Sequence, residues 1–280
     1  MSARSARRRA ANAVFIAATA LATMVALAAL FLILWSLVSQ GLGGLSGAIF
    51  TQDQPAPGSP GGLRNAIIGS LIMCALGMAI ALVVGILAGT WLSEYGGRSR
   101  YAHTIRFLND VLLSAPSILV GLFVYELMVA PFQGFSAYAG AVALAFLATP
   151  VVVRTTEDIL TLQPGALREA GMALGAGRAK VIRTIIWRGA RAGLVTGGLL
   201  AFARISGETA PLLFTSLGNQ YLNLDPSQPM AALPTTIFQF ALSAFDDWRQ
   251  LAWTGALLIA GAVLIINIVG RLLAREVSHK

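Results

Sequence analysis

Long apolar stretches, separated by short charged or Gly/Pro-rich segments, constrain the fold of this chain more than any other feature. A bilayer core of about 30 Å needs roughly 20 apolar residues per helix, and the stretches are of about this length. We predict six membrane-spanning helices, at residues 13–39, 66–92, 107–130, 137–153, 192–216 and 251–272. The predicted fold class is therefore an all-α polytopic membrane protein.

The composition excludes several other classes of protein. Hydrophobic residues make up 56% of the 280 residues and charged residues only 11%, unlike an ordinary soluble domain. The net charge of +8 does not indicate a nucleic-acid-binding protein, because the basic residues fall between apolar stretches and form no basic face. Cys74 is the single cysteine, so we expect no intrachain disulfide and no metal site of the CxxC type.

The distribution of basic residues predicts the topology. If the arginine-rich N-terminus is cytoplasmic, 17 of the 20 lysines and arginines lie on the cytoplasmic side. Only Arg64 and Arg249 lie outside, and Arg204 lies within a span. By the positive-inside rule, both termini are predicted to be cytoplasmic, as basic tails at residues 1–12 and 274–280. The first apolar stretch is too long for a signal peptide, so we expect a retained helix and an external loop within residues 13–64.

The segments at residues 40–65 and 217–250 are predicted to face outside and are rich in Gly, Pro, Asp and Gln. Connections of this length are either functional or flexible. They are candidate contact surfaces for an external partner, and solvated connectors are the alternative.

The cytoplasmic loop at about residues 154–191 contains a predicted short helix from about 164 to 174. Pro164 suits a first helical turn, and Gly175 and Gly177 suit a helix end. One face of this helix is small and apolar, formed by Leu167, Ala170, Gly171 and Leu174. Residues 178–188 predict a basic interfacial helix. Two interpretations remain: a face that docks into a groove, and a basic connector along the membrane.

Arg204 and Glu208 lie four residues apart in the fifth span, a spacing that predicts one helix face. An arginine at the bilayer centre costs at least about 2.5–3.5 kcal/mol, so it marks a bundle interior or a substrate path. The pair either locks helix packing or lines the path of an anion. In the second case Arg204 would donate hydrogen bonds to an oxyanion, and Glu208 would hold Arg204 in place.

The same span is predicted to contain a helix break. Pro211 has no N–H to bond the carbonyl of Gly207, and Gly207 itself loosens the helix. Irregular backbone at membrane depth is tolerated where it is covered by protein or lines a watery cavity. Ser206 and Thr209 add hydroxyl groups beside Arg204, which makes them further candidates for the substrate pathway.

The sequence Glu169-Ala170-Gly171, followed by Gly175, resembles the EAA loop of ABC importer permeases. This resemblance implies a coupling helix that inserts into a cleft of the ATP-binding subunit, with Glu169, Ala170, Gly171 and Gly175 in the docking segment. The sequence departs from the family pattern where Gly171 replaces an alanine and where residues 187–188 replace the usual Leu-Pro.

The stretch from Gly207 to Phe214 is similar to a signature of the permeases of phosphate-specific ABC importers. Supporting stretches carry the resemblance across roughly residues 65–273, namely residues 85–97, 115–124, 232–238 and 251–253. It implies the type I (MetI-like) ABC importer permease fold over this domain. The implied function is import of inorganic phosphate across the bacterial cytoplasmic membrane.

The resemblance also implies partners: a homologous second permease, a dimer of ATP-binding subunits and an external phosphate-binding protein. The chain has no Walker A motif and no nucleophile–base cluster, so it is predicted to be non-catalytic, with ATP and Mg²⁺ bound by the partner ATPase. One alternative is an ABC permease for another oxyanion, such as sulfate or molybdate. A second is a secondary transporter, which would have no use for the loop around Glu169.

Overall fold

The computed structural model describes residues 3–278, apart from the side chains of residues 3–6, 9 and 273–278. The described residues contain α-helices and short π-helical turns but no strands. The helices are α1 (Ala3–Gly43), α2 (Ala48–Thr51), α3 (Arg64–Trp91), α4 (Arg100–Ser114), α5 (Ser117–Val124), α6 (Ala137–Thr161), α7 (Gly165–Ala173), α8 (Arg178–Val181), α9 (Trp187–Ser206), α10 (Ala210–Thr215), α11 (Leu233–Ala241) and α12 (Asp246–Ser278). The all-α prediction is confirmed for this part of the chain, whereas the predicted tails fall partly outside it.

Four helical segments are long and apolar enough to cross a membrane, at Ala10–Gly43, Arg64–Gly96, Ala137–Thr161 and Asp246–Leu272. The stretch that predicts a third span is instead bent by 104° between α4 and the segment that begins with α5. Ala115 and Pro116 form the bend in extended backbone. Proline has no N–H to continue the helix, which explains the interruption. With the bent pair there are up to five candidate spans, and the count of six stays a prediction.

Helices α3 and α6 pack closely because glycines line their contact. A Cβ atom at Gly85 would lie 2.6 Å from the Cβ of Val152, and one at Gly89 would lie 2.7 Å from the Cβ of Thr156. No larger residue fits at this separation. Residue numbers rise together along the two helices, so α3 and α6 run parallel.

The two interrupted helices meet in the centre of the protein. A Cβ atom at Gly121 of α5 would lie 2.6 Å from the Cα of Pro211 in α10. Both helices contribute to one buried apolar cluster, together with α3, α6 and α9; its members include Met73, Val120, Leu144, Leu147, Ile205 and Leu212. The breaks in the third and fifth predicted spans therefore belong to one packed unit.

Among the side chains that the structure describes, those of helix α1 contact the rest of the chain near its C-terminal end. The side chains of Gln250 and Thr254 in α12 donate hydrogen bonds to the carbonyls of Gln40 at 2.6 Å and Gly41 at 3.0 Å. The apolar side chains along the preceding part of α1 are exposed, for example Phe31 at 64%. An apolar helix of this length with an exposed surface suits contact with lipid.

Candidate functional site

The fifth predicted span is interrupted between Ser206, where α9 ends, and Ala210, where α10 begins. Pro211 lies in the first turn of α10, where its missing N–H leaves no intrahelical bond unmade. Gly207 has φ −103°, and no atom lies within 4 Å of the position that a Cβ would take. The backbone at Gly207 therefore does not require glycine in this conformation.

The interruption separates Arg204 from Glu208. Arg204 belongs to the last turn of α9, whereas Glu208 follows the end of that helix. The prediction that both side chains share one helix face is wrong, because no continuous helix connects them. No ion pair or hydrogen bond joins the two side chains in the described structure.

The predicted pathway residues lie at or beside this break. Arg204 is exposed, while Ser206, Glu208 and Thr209 are half-buried. The hydroxyl of Ser206 donates to the carbonyl of Ala203 at 3.0 Å, which holds it against its own helix. The guanidinium of Arg204 makes no hydrogen bond to the described part of the chain and is available to an anion or to another subunit.

Arg204 lies on an exposed stripe of α9 that also contains Thr196 and Leu200 and that continues to Gly207, just after the helix. The neighbouring side of the helix is buried, through Ala201 and Ile205. A cation inside a membrane span faces a bundle interior or a watery cavity rather than lipid. The exposed stripe is therefore a surface that needs a cover other than lipid.

The break at Ala115 and Pro116 was not assigned a functional role from the sequence. The sequence does contain a signal for this break, because a proline in the middle of an apolar stretch predicts a kink. Sequence alone gave neither the angle nor the neighbour. The contact of α5 with Pro211 brings this second interrupted helix beside the first, and discontinuous helices of this kind build midplane sites in transporters.

The short helix predicted within residues 154–191 is present as α7, at Gly165–Ala173. Gly175 follows it with φ +78°, a conformation that glycine adopts without a steric penalty. The N–H of Gly175 donates to the carbonyl of Met172 at 2.9 Å, and that of Ala176 donates to Gly171 at 3.3 Å. These bonds close the C-terminus of the helix.

The small apolar face of α7 is divided between the interior and the surface. Gly171 is buried, and a Cβ there would lie 2.8 Å from a methyl carbon of Val181. Glu169 and Ala170 are exposed, as is Leu174 at 89%. The exposed surface is thus formed without Gly171, which packs α7 against the following segment.

The loop leaves α7 by a different route from the predicted one. Residues 178–188 do not form a separate interfacial helix, because α8 and the π-helical turn Ile182–Ile186 continue directly into α9. Since no proline stands at residues 187–188, the helix is not stopped there. The indole N–H of Trp187 donates to the hydroxyl of Thr90 at 3.1 Å, which attaches this junction to α3.

A buried ion pair that the sequence analysis missed connects α7 to the end of α3. The guanidinium of Arg168 lies 2.6 Å from the carboxylate of Glu94, whose side chain is only 2% exposed. Hydrogen bonding to Glu94 raises the pKa of Arg168 above its usual value. The two residues are 74 positions apart, and no sequence spacing pairs them.

The family model described as "Binding-protein-dependent transport system inner membrane component" matches residues 81–279. The phosphate transport system permease protein PstA of Haemophilus influenzae is 54% identical over 86% of this chain and 85% of its own length. The protein of the same name from Xylella fastidiosa is 50% identical over 95% of this chain and 93% of its own.

Among solved structures, an inward-facing conformation of the MetNI methionine ABC transporter matches with a TM-score of 0.65. The match covers 77% of this chain and 95% of that chain at 19% sequence identity, and it supports the ABC importer permease fold. Together with the long apolar helices, these matches indicate a multi-pass protein of the inner membrane. The chain belongs to the binding-protein-dependent transport system inner membrane components and, within that family, to the PstA-like permeases.

Proposed function

We propose that the chain is the permease subunit of an ATP-driven importer that moves inorganic phosphate across the cytoplasmic membrane. The observation that carries this proposal is the exposed Arg204 beside an interrupted helix, in a chain 50–54% identical to proteins named PstA. Phosphate is an oxyanion, and a guanidinium offers it directed, charge-assisted hydrogen bonds.

The residues around the break take distinct roles in this proposal. Arg204 attracts and transiently binds phosphate, and the hydroxyls of Ser206 and Thr209 are further hydrogen-bonding groups along the path. Glu208 accepts a hydrogen bond from a protonated phosphate oxygen. The interruption at Gly207 and Pro211 supports a pathway here, because it frees backbone groups at membrane depth.

Helix α7 is the proposed docking element for a separate ATPase. Glu169 and Ala170 are exposed on it, and Gly175 closes its C-terminus in a turn. Gly171 supports the docking surface from behind, by allowing α7 to lie close to Val181. The chain itself is a non-catalytic transport subunit in this proposal, and ATP and Mg²⁺ are bound by the docked partner.

The proposed complex contains three kinds of partner. A homologous, PstC-like permease covers the exposed stripe of α9 and completes the pathway. A dimer of PstB-like ATP-binding subunits receives α7. A PstS-like phosphate-binding protein contacts the external segments at residues 40–65 and 217–250, which are linked by a hydrogen bond from the Leu222 N–H to Asp53.

The pathway proposal is tested by phosphate uptake into proteoliposomes that contain the whole complex. We expect Arg204→Ala to lower uptake at least about tenfold, since a hydrogen bond to a charged group is worth about 1.5–3 kcal/mol. Thr196→Ala, two turns earlier on the same exposed stripe, is the matched control and should leave uptake near the wild-type rate.

Unchanged phosphate uptake by the Arg204→Ala complex would remove Arg204 from the pathway. Uptake of sulfate or molybdate in preference to phosphate would show another oxyanion as the cargo. Uptake that follows an ion gradient and ignores ATP would favour a secondary transporter.

The docking proposal is tested by co-purification of the ATPase with the permease. We expect Glu169→Lys to reduce the amount of ATPase recovered, because the reversed charge sits on the exposed docking face. Asp158→Asn changes another exposed carboxylate on the same predicted side, on α6, and should retain the ATPase. Equal recovery from both variants would contradict the role of α7.

A further inference from the structure

The π-helical turn Leu92–Gly96, at the end of α3, is held by arginines from three different segments. A helix end leaves carbonyl groups without intrahelical donors. Arg106 of α4 donates to the carbonyls of Leu92 at 3.3 Å and Gly97 at 3.2 Å. Arg178 of α8 donates to the carbonyl of Glu94. These bonds fix the backbone of the turn.

The third arginine, Arg168, reaches the turn from α7. Its Nε lies 3.0 and 3.1 Å from the two carboxylate oxygens of Glu94, and its Nη2 lies 2.6 Å from one of them. The same guanidinium donates to the carbonyls of Leu160 at 2.8 Å and Gln163 at 2.7 Å. One side chain therefore joins α7, the end of α6 and the end of α3.

This connection differs in kind from the other contact of α7. The packing of Gly171 on Val181 is close but apolar, and it has no fixed donor and acceptor directions. The Arg168–Glu94 pair has fixed donor and acceptor directions and excludes water from a carboxylate that is 2% exposed. Separating these charges would leave one of them buried and unpaired, which is strongly unfavourable.

Helix α3 is suited to receive a displacement at this end. It packs against α6 along Gly85 and Gly89 at distances that admit no larger side chain. Close-packed helices of this kind transmit movement as rigid elements rather than absorbing it.

We propose that the Glu94–Arg168 pair transmits movement of α7 to α3, and so couples the docked ATPase to the transport pathway. Both residues are positioning residues that touch neither ATP nor phosphate. The inference rests on the proposed function of α7 as the ATPase dock. The new element is the route: movement of α7 reaches α3 through this ion pair.

The test measures phosphate taken up per ATP hydrolysed by the complete complex in proteoliposomes. We expect Glu94→Gln to lower this ratio at least about fivefold, the lower end of typical coupling between sites. The ATPase should still co-purify, and basal ATP hydrolysis should continue. Asp158→Asn, which removes the exposed Arg154–Asp158 pair at 3.3 Å, is the control and should leave the ratio unchanged.

A double variant separates transmission from a purely structural role. Glu94→Gln combined with Arg168→Gln removes both charges, so no buried charge is left unpaired. If the pair matters only because an unpaired buried charge destabilises the fold, the double variant regains both complex yield and the uptake ratio. If the pair transmits movement, complex yield recovers and the ratio stays low.

Three results would overturn the inference: an unchanged ratio in Glu94→Gln, recovery of the ratio in the double variant, or loss of the ATPase from either complex. Failure of the proposed function appears elsewhere, as absent phosphate uptake by the wild type or as retention of the ATPase by Glu169→Lys. Stimulation of ATP hydrolysis by the external binding protein is a second readout, which does not require uptake to be measured. The double variant should lose this stimulation while keeping basal hydrolysis.

Discussion

Gly175 and Gly177 differ in backbone conformation although both lie in the loop that follows α7. Gly175 has φ +78°, whereas Gly177 has φ −63°, and neither has an atom within 4 Å of a Cβ position. A side chain at Gly175 is therefore disfavoured by the backbone alone, by roughly 1–2 kcal/mol.

We expect Gly175→Ala to lower the melting temperature of the purified complex and to weaken retention of the ATPase, because the turn that ends α7 must change. Gly177→Ala is the same substitution at a residue whose φ of −63° alanine also adopts, so this variant should behave as the wild type. Thermal unfolding and co-purification of the two variants in parallel provide the measurement. Equal behaviour would contradict the role of the turn at Gly175.

The sequence predicted individual residues well only where local chemistry decides their conformation. Pro211 implies a break for lack of an N–H, and the structure has the helix interrupted there. The predicted alignment of Arg204 with Glu208 failed because it assumed that the helix continues through that same break. Glu94 was missed because its partner, Arg168, is close only in the folded chain.

At the scale of elements, a carboxylate connects the two segments that are predicted to be external, residues 40–65 and 217–250. Asp53 accepts hydrogen bonds from the Nε of Arg64 at 2.9 Å and from the N–H of Leu222 at 2.9 Å. The hydrogen bond from Arg64 is the main reason that the pKa of Asp53 lies below its usual value.

A lowered pKa gives the attachment of these segments a defined pH dependence. The stabilisation is fully present above the unfolded pKa of Asp, about 3.9, and is lost as the pH falls through the lower folded value. We expect hydrogen exchange at the Leu222 amide, corrected for intrinsic rates, to accelerate below about pH 4. The Leu233 amide, which donates to the Ser70 hydroxyl at 2.6 Å, has no titrating acceptor and is the control.

An Asp53→Asn variant should remove this pH step. Protection at Leu222 that stays constant as Asp53 titrates would contradict the assigned role. This pH dependence concerns the attachment of residues 40–65 to residues 217–250. It is separate from the helix break between Ser206 and Ala210.

The positions of helices could be predicted where the hydropathy pattern and the residues typical of helix ends indicate the same boundaries. The sequence predicts a short helix at about residues 164–174, and the structure has it at Gly165–Ala173. The 104° bend between α4 and α5 was not predicted, because Pro116 indicates an interruption but not its angle. In the fold, Gly121 of α5 packs against Pro211, which lies 90 residues further along the chain, and local sequence does not specify such a contact.

At the scale of the whole molecule, helix directions determine how often the chain crosses the membrane. Contacts rise together along α3 and α6, from Gly77 with Ala141 to Gly89 with Thr156, so these two spans are parallel. Contacts between α6 and α9 run in opposite order, so those helices are antiparallel. A chain that leaves α3 on one side must cross before it enters α6, and only the bent α4–α5 pair lies between them.

The remaining crossing, by α9 and α10, is hard to recognise because of its charged residues and its break. Helix α9 contains Arg188, Arg191 and Arg204 and ends at the break, so α9 and α10 do not qualify as a span by length and hydropathy. The antiparallel order of α6 and α9 nevertheless predicts that α9 starts on the side where α6 ends. We therefore predict six crossings, with the ends of α3 and α6 and the loop containing α7 on the cytoplasmic side.

Single cysteines in a Cys74→Ser background test this topology in spheroplasts, since the native thiol is the only one in the chain. A membrane-impermeant maleimide should label cysteines that replace Phe132 and Tyr221, which are 79% and 74% exposed. Cysteines that replace Arg98 and Leu174 should react only after permeabilisation. If the bent α4–α5 pair re-enters the membrane instead of crossing it, the cysteine at position 132 will behave like that at position 98. The parallel packing of α3 and α6 predicts the opposite result.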